Sequence, residues 1–65
     1  MKNLNVTNAH RYAVEKSKQH PELKAQIVEF IELMYDEIES GESADNEATL
    51  LISSVNELID ESSHK

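Results

Sequence analysis

Hydrophobic and polar residues follow a helical spacing along most of the chain, and the clearest pattern runs from residue 22 to residue 40. With 100° between successive residues, its apolar side chains fall on one side of a helix and its acidic side chains fall nearly opposite. The apolar stripe consists of Leu23, Ile27, Phe30, Ile31, Met34 and Ile38, with Val28 and Tyr35 along one edge. We therefore predict a long amphipathic helix with one covered face and one acidic face.

A second apolar stripe predicts another long helix from residue 44 to residue 61. Ser43 is a typical N-cap residue, and Asp45 and Glu47 would lie in the positively polarised first turn. The short link from Gly41 to Ser43 contains the one glycine of the chain, and glycine suits the left-handed conformation that ends many helices. So short a link requires the two helices to run antiparallel, which predicts a helical hairpin.

A weaker pattern precedes this hairpin and predicts a shorter N-terminal helix from about residue 7 to residue 18, capped by Thr7 or Asn5. His20-Pro21 then separates this helix from the next one, because the residue before proline avoids the α region. The predicted fold class is all-α, either a three-helix bundle or a dimeric helical bundle. The first helix could pack on its own hairpin or on another copy. We expect one domain over residues 1–65, with frayed ends at 1–5 and 62–65.

The composition limits how such a fold can be stabilised. A chain of 65 residues without cysteine has no disulfide and no cysteine-bound zinc. A domain of about this size buries only about 60% of the surface of its unfolded chain, so self-association would help to stabilise it. No apolar run is long enough to span a membrane or to form a signal peptide, which predicts a cytoplasmic protein without a membrane partner.

The net charge of −7 is concentrated in the second part of the chain. Four acidic residues lie at helical spacings of three and four on the outer face of the central helix: Glu29, Glu32, Asp36 and Glu39. Such a row is commonly only a solvated face, but it could also receive a basic protein. In its strongest form it would imitate nucleic acid and inhibit a DNA-binding protein.

Two leucines do not fit the stripes of their helices. Leu33 lies between the apolar stripe and the acids, and Leu50 lies nearly opposite the apolar stripe of the third helix. Two helices buried only against each other need one stripe each, so these leucines indicate contact with a third surface. With Val14, which is also off its inner side, they favour a symmetric homodimer.

Other kinds of chemistry have little support in the sequence. Asp36, Gly41 and Glu47 match three positions of a calcium-binding loop, but Ile38 occupies a position that requires an oxygen ligand. The three histidines are far apart in the sequence, and no nucleophile has a base beside it. We therefore predict no metal, no cofactor and no catalysis, with calcium binding as a weak third hypothesis.

Direct binding of nucleic acid is also not expected. The predicted third helix contains no Lys or Arg between residues 44 and 63, so it cannot neutralise DNA phosphates. The leading hypothesis is a small acidic interaction or regulatory module that self-associates and docks an unknown protein partner, for which a basic protein is one candidate. The alternative is the acidic nucleic-acid mimic. The candidate partner surface comprises Glu29, Glu32, Leu33, Asp36, Glu39 and Leu50.

Overall fold

The computed structural model describes residues 4–63, and these residues form three α-helices and no strand. Helix α1 spans Leu4–Gln19, α2 spans Lys24–Glu39 and α3 spans Ala44–Ser63, with a 3₁₀ turn at Pro21–Leu23 before α2. The all-α prediction is confirmed. Of the two predicted arrangements, the chain adopts the three-helix bundle.

Helix α1 begins three residues before the predicted start at residue 7, so Asn5 and Thr7 lie inside its first turn and neither is the N-cap. Asn5 has a different partner, since its side-chain amide donates a hydrogen bond to Asp45 Oδ1 at 2.8 Å. Because Asp45 lies in the first turn of α3, this bond connects the beginnings of α1 and α3.

The predicted helix from residue 22 to residue 40 is divided at its beginning. Pro21 opens a 3₁₀ turn that ends at the buried Leu23, and the α-helix proper begins at Lys24. Proline suits this place because the first turn of a helix leaves its N–H groups without intrahelical acceptors. The third helix extends two residues beyond the predicted end, to Ser63.

Gly41 closes α2 in the way the sequence predicts. Its φ of 111° is left-handed, its N–H donates to the carbonyl of Ile38, and the N–H of Glu42 donates to the carbonyl of Glu37. This pair of bonds is the Schellman motif. Ser43 Oγ then accepts a long hydrogen bond of 3.4 Å from the N–H of Asn46. The hairpin therefore has a defined stop and a defined start.

The two chain ends bear on the prediction of frayed termini. The structure places residues 4, 5, 62 and 63 in helices. The remaining residues of that prediction, 1–3 and 64–65, lie outside the described part of the chain.

The core between the helices is thin. The buried apolar residues among residues 4–63 are Ala9, Ala13, Leu23, Ile27, Met34, Ala48, Leu51 and Val55. Alanines supply three of these eight positions, and Ile27 and Val55 are the large side chains buried completely. Helix α1 packs through Ala9 and Ala13 on both α2 and α3 of the same chain. Small side chains there allow a close approach but bury little apolar surface.

The bundle is elongated, with extents of 39 × 17 × 16 Å, and it exposes 4713 Å². A monomer of 7.4 kDa is expected to expose about 4200 Å². Five large apolar side chains are exposed in the described residues: Leu4, Val28, Leu33, Tyr35 and Leu50. Three of these side chains line two grooves: Tyr35 lines one, and Leu33 and Leu50 line the other.

Candidate protein interaction surfaces

The first groove lies between α2 and α3 and contains both leucines that the sequence singled out. Leu33 is 54% exposed and Leu50 is 55% exposed. Leu33 from α2 and Leu50 from α3 lie on either side of one hollow of about 150 Å³. Its floor is apolar and includes Phe30, Met34 and Leu51. The two residues are thus brought together on one surface, and α1, on the other side of the hairpin, does not cover them.

This groove continues along the seam between α2 and α3. Two further hollows, of about 230 and 260 Å³, follow it toward the start of α2. Neighbouring hollows share lining residues, first Phe30 and Ser54 and then Leu58 and Glu61, so they form one channel. From Leu50 to Glu61 the channel is about 16 Å long at 1.5 Å per residue.

The polar wall of this channel carries charge of one sign only. Glu47 borders the first hollow, and Glu57 and Glu61 border the next ones. No Lys or Arg lines these hollows within the described residues. The α2–α3 groove, as this channel is called below, therefore combines an apolar floor with a negative rim.

The predicted acidic row lies on the outer face of α2, beside this groove. Glu29, Glu32, Asp36 and Glu39 are all exposed, and none forms an ion pair with another described residue. Leu33 follows Glu29 by four residues and precedes Asp36 by three, so it borders the row. The four acids are called the acidic ridge below. The other two residues of the candidate surface, Leu33 and Leu50, lie at its side.

The second groove lies between α1 and α2, has a volume of about 670 Å³ and is open to solvent. Val6 and Val14 of α1 and Ile38 of α2 supply apolar lining. His10 and Tyr35 bridge the two helices, with His10 Nδ1 and the Tyr35 hydroxyl 2.7 Å apart and the rings edge to face. This bond fixes the middle of α1 beside the second half of α2.

Charge differs in sign on the two sides of this α1–α2 groove. Arg11, next to His10, lines the α1 side. On α2, Glu32 precedes the groove residue Tyr35 by three positions and Glu39 follows it by four, so both lie next to Tyr35 on the helix surface. The α1 side thus offers the cation Arg11, with Glu15 one turn further along, and the α2 side offers two carboxylates.

The sequence missed this second groove, although a signal was present. Val28 and Tyr35 widen the apolar stripe of α2 beyond the width that one neighbouring helix can cover, and Val14 lies off the inner side of α1. Val14 and Tyr35 both line the α1–α2 groove. Whether Val14 and Tyr35 line the same groove depends on how α1 is rotated about its axis relative to α2. A helical wheel of either helix alone cannot give this rotation.

Other sites have little support in the structure. Within residues 4–63, no group of three or more His, Asp or Glu side chains is arranged to hold a metal ion. No helix of the described chain has both the length and the apolar character required to cross a membrane. Comparisons of the chain with protein-family models, curated proteins and solved structures found no match. The two grooves and the acidic ridge are therefore the surface features on which a proposed function can be based.

Proposed function

We propose that this protein is a protein–protein interaction module that docks a partner in the α2–α3 groove, self-associates, and performs no catalysis. The observation that carries the proposal is the meeting of Leu33 and Leu50, each more than half exposed, over one apolar floor. A single exposed leucine is ordinary, whereas paired leucines over a groove are typical of docking surfaces. The cytoplasmic location stays a prediction from the sequence.

The chemistry of the groove favours a basic amphipathic helix as the partner. A helix presents apolar side chains at positions i, i+3 or i+4 and i+7, and a channel of about 16 Å takes about three turns of helix. Lys or Arg side chains at the edges of that helix would meet Glu47, Glu57 and Glu61. Such complementarity speeds association and selects among partners.

A second copy of this chain is a poor occupant of the same groove. Placing two α2–α3 grooves face to face would bring the glutamates of both copies together without a cation between them. Like charges that meet across an interface are costly. We therefore assign Leu33 and Leu50 to a different protein, and self-association to another part of the surface.

The test is a titration with a synthetic peptide of leucine and lysine that forms a basic amphipathic helix, followed by fluorescence anisotropy. Leu33→Glu and Leu50→Glu should each weaken binding about tenfold or more, because a buried anchor becomes charged. Leu4→Glu is the matched control, since Leu4 is 74% exposed and lies outside both grooves. All three variants add one negative charge, so general electrostatic attraction predicts tighter binding in every case.

The outcome separates the groove from charge alone. A peptide of the same composition, rearranged so that it has no apolar face, should bind weakly to the wild type. Equal binding of both peptides, or tighter binding by Leu33→Glu, would show that charge rather than the groove recognises them.

The nucleic-acid mimic is the alternative, and the exposure of the whole acidic ridge favours it. A mimic would compete with duplex DNA for a DNA-binding protein. Reversal of Glu29, Glu32, Asp36 and Glu39 to lysine would abolish that competition, while Leu33→Glu would leave it intact. Under the docking proposal, by contrast, Leu33→Glu weakens binding of the helical peptide.

A further inference from the structure

We infer that the α1–α2 groove is the surface through which two copies of this chain associate, and that Arg11 of each copy pairs with the acidic edge around Tyr35 of the other. This inference deepens the proposed function, since it rests on the self-association that forms part of it. It assigns each groove a separate occupant.

The face around the α1–α2 groove exposes several apolar side chains. The groove of about 670 Å³ exposes Val6, Val14 and Ile38 along its length. Val28, one apolar position beyond the groove on the same side of α2, is 37% exposed, and Tyr35 is 43% exposed. The chain as a whole exposes more surface than a monomer of its mass is expected to expose, and a second copy would cover part of it.

The charges of this face are complementary to those of a second copy. A symmetric dimer uses the same patch on both copies, so that patch must carry both signs. The α1 side has Arg11, with Lys18 two turns further along the same helix. The α2 side has Glu32 and Glu39 on either side of Tyr35. The α2–α3 groove has no such pairing, since its wall is acidic only.

The same charges select one symmetry axis. A two-fold axis parallel to the helices lays α1 of each copy over α2 of the other, so that a basic edge meets an acidic edge twice. A two-fold axis across the helices lays α1 over α1, so that Arg11 approaches its own counterpart. Because like charges repel, the structure favours the first arrangement.

The contact between His10 and Tyr35 determines which residues of the two copies face each other across this dimer. Their hydrogen bond of 2.7 Å places Arg11, the next residue, at about the height of Tyr35 along the bundle. Rotation about an axis parallel to the helices keeps this height. Arg11 of one copy therefore reaches the residues around Tyr35 of the second copy, and of the two acids beside Tyr35, Glu32 lies nearer in height than Glu39.

The experiment is a charge swap measured by sedimentation equilibrium. Arg11→Glu and Glu32→Arg should each lower the association constant at least about tenfold, since each places like charges together twice in a symmetric dimer. The double variant, Arg11→Glu with Glu32→Arg, should restore association. Arg11→Glu with Glu57→Arg has the same net charge but should not restore it, because Glu57 lies in the α2–α3 groove.

The measurements test the assignment of the α1–α2 groove and self-association separately. Failure of the swap to restore association, or loss of association in Leu33→Glu rather than in Arg11→Glu, would overturn this assignment while leaving self-association in place. A wild-type chain that stays monomeric at millimolar concentration would remove self-association itself, and uptake of an apolar dye by that monomer would assign the groove to a small ligand. Partner docking is measured separately with the helical peptide, so its failure is distinguishable from either outcome.

Discussion

The two grooves of this bundle share one helix and differ in the charge of their walls. Helix α2 gives Tyr35 and Ile38 to one groove and Phe30 and Leu33 to the other. Both grooves have apolar floors, so hydrophobicity does not distinguish their occupants. The α1–α2 groove is lined by Arg11, with Glu32 and Glu39 beside its lining residue Tyr35, whereas the charged residues that line the α2–α3 groove are acids.

The difference shows how one small fold can keep two interactions apart. A wall of one sign repels a copy of itself and attracts a partner of opposite charge, whereas a wall of both signs tolerates a copy. The acidic ridge lies between the grooves, so a change of one surface residue of α2 affects one groove or the other according to its side of the ridge.

Ile27→Ala should have the largest effect and should impair both grooves. Ile27 is completely buried, and its truncation leaves a cavity that costs about 2–5 kcal/mol. A chain of 65 residues has a total unfolding free energy of about 3–10 kcal/mol, so this loss is a large share of it. Chemical denaturation followed by circular dichroism measures the change.

Val28→Ala is the control for this prediction, because Val28 is the next residue but faces solvent in part. Its unfolding free energy should change by only about 0.5 kcal/mol or less. Equal effects at the two positions would mean that the core face of α2 has been wrongly assigned.

Gly41→Ala should come next and should loosen the seam between α2 and α3. The φ of 111° is costly for a residue with a Cβ atom, although no atom lies within 4 Å of the place the Cβ would take. The penalty is therefore conformational, about 1–2 kcal/mol. Thermal and chemical denaturation should show it, whereas Ser40→Ala, which removes an exposed hydroxyl, should have a smaller effect.

Tyr35→Phe should have the smallest effect and should act on the α1–α2 side only. It removes the hydroxyl that is hydrogen-bonded to His10 and keeps the ring, which costs about 0.5–1.5 kcal/mol. Self-association should weaken, and binding of the basic helical peptide should stay unchanged. A loss of peptide binding in this variant would show that the two grooves are coupled.

The sequence predicted the parts of the fold that depend on short-range patterns. The stripes around Ile27 and Val55, the stop at Gly41 and the start at Ser43 all follow from residues close to one another in the chain. The start of α1 at Leu4 did not follow, because local capping preferences favoured Thr7 or Asn5. Asn5 instead has a partner in α3, which no local pattern contains.

The candidate site was predicted in a similar way. Leu33 and Leu50 stood out because each contradicted its own helix, and this was enough to select them. Their meeting over one floor depends on how α2 is rotated against α3, which the four-residue link restricts but does not determine. The pairing of His10 with Tyr35 joins residues 25 positions apart and had no counterpart in the sequence pattern.

The attachment of α1 also implies an order in which the molecule assembles. The side-chain bonds that hold it to α3 run from Asn5 to Asp45 and from Tyr12 to Asn56, so they close loops of 40 and 44 residues. The hairpin of α2 and α3 closes through the four residues 40–43, which is fast by comparison. We therefore expect α2 and α3 to pair first during folding and α1 to dock on them afterwards. The α2–α3 groove, which would bind the partner helix, would then form before α1 docks. The α1–α2 groove, which would bind a second copy of the chain, would form only when α1 docks.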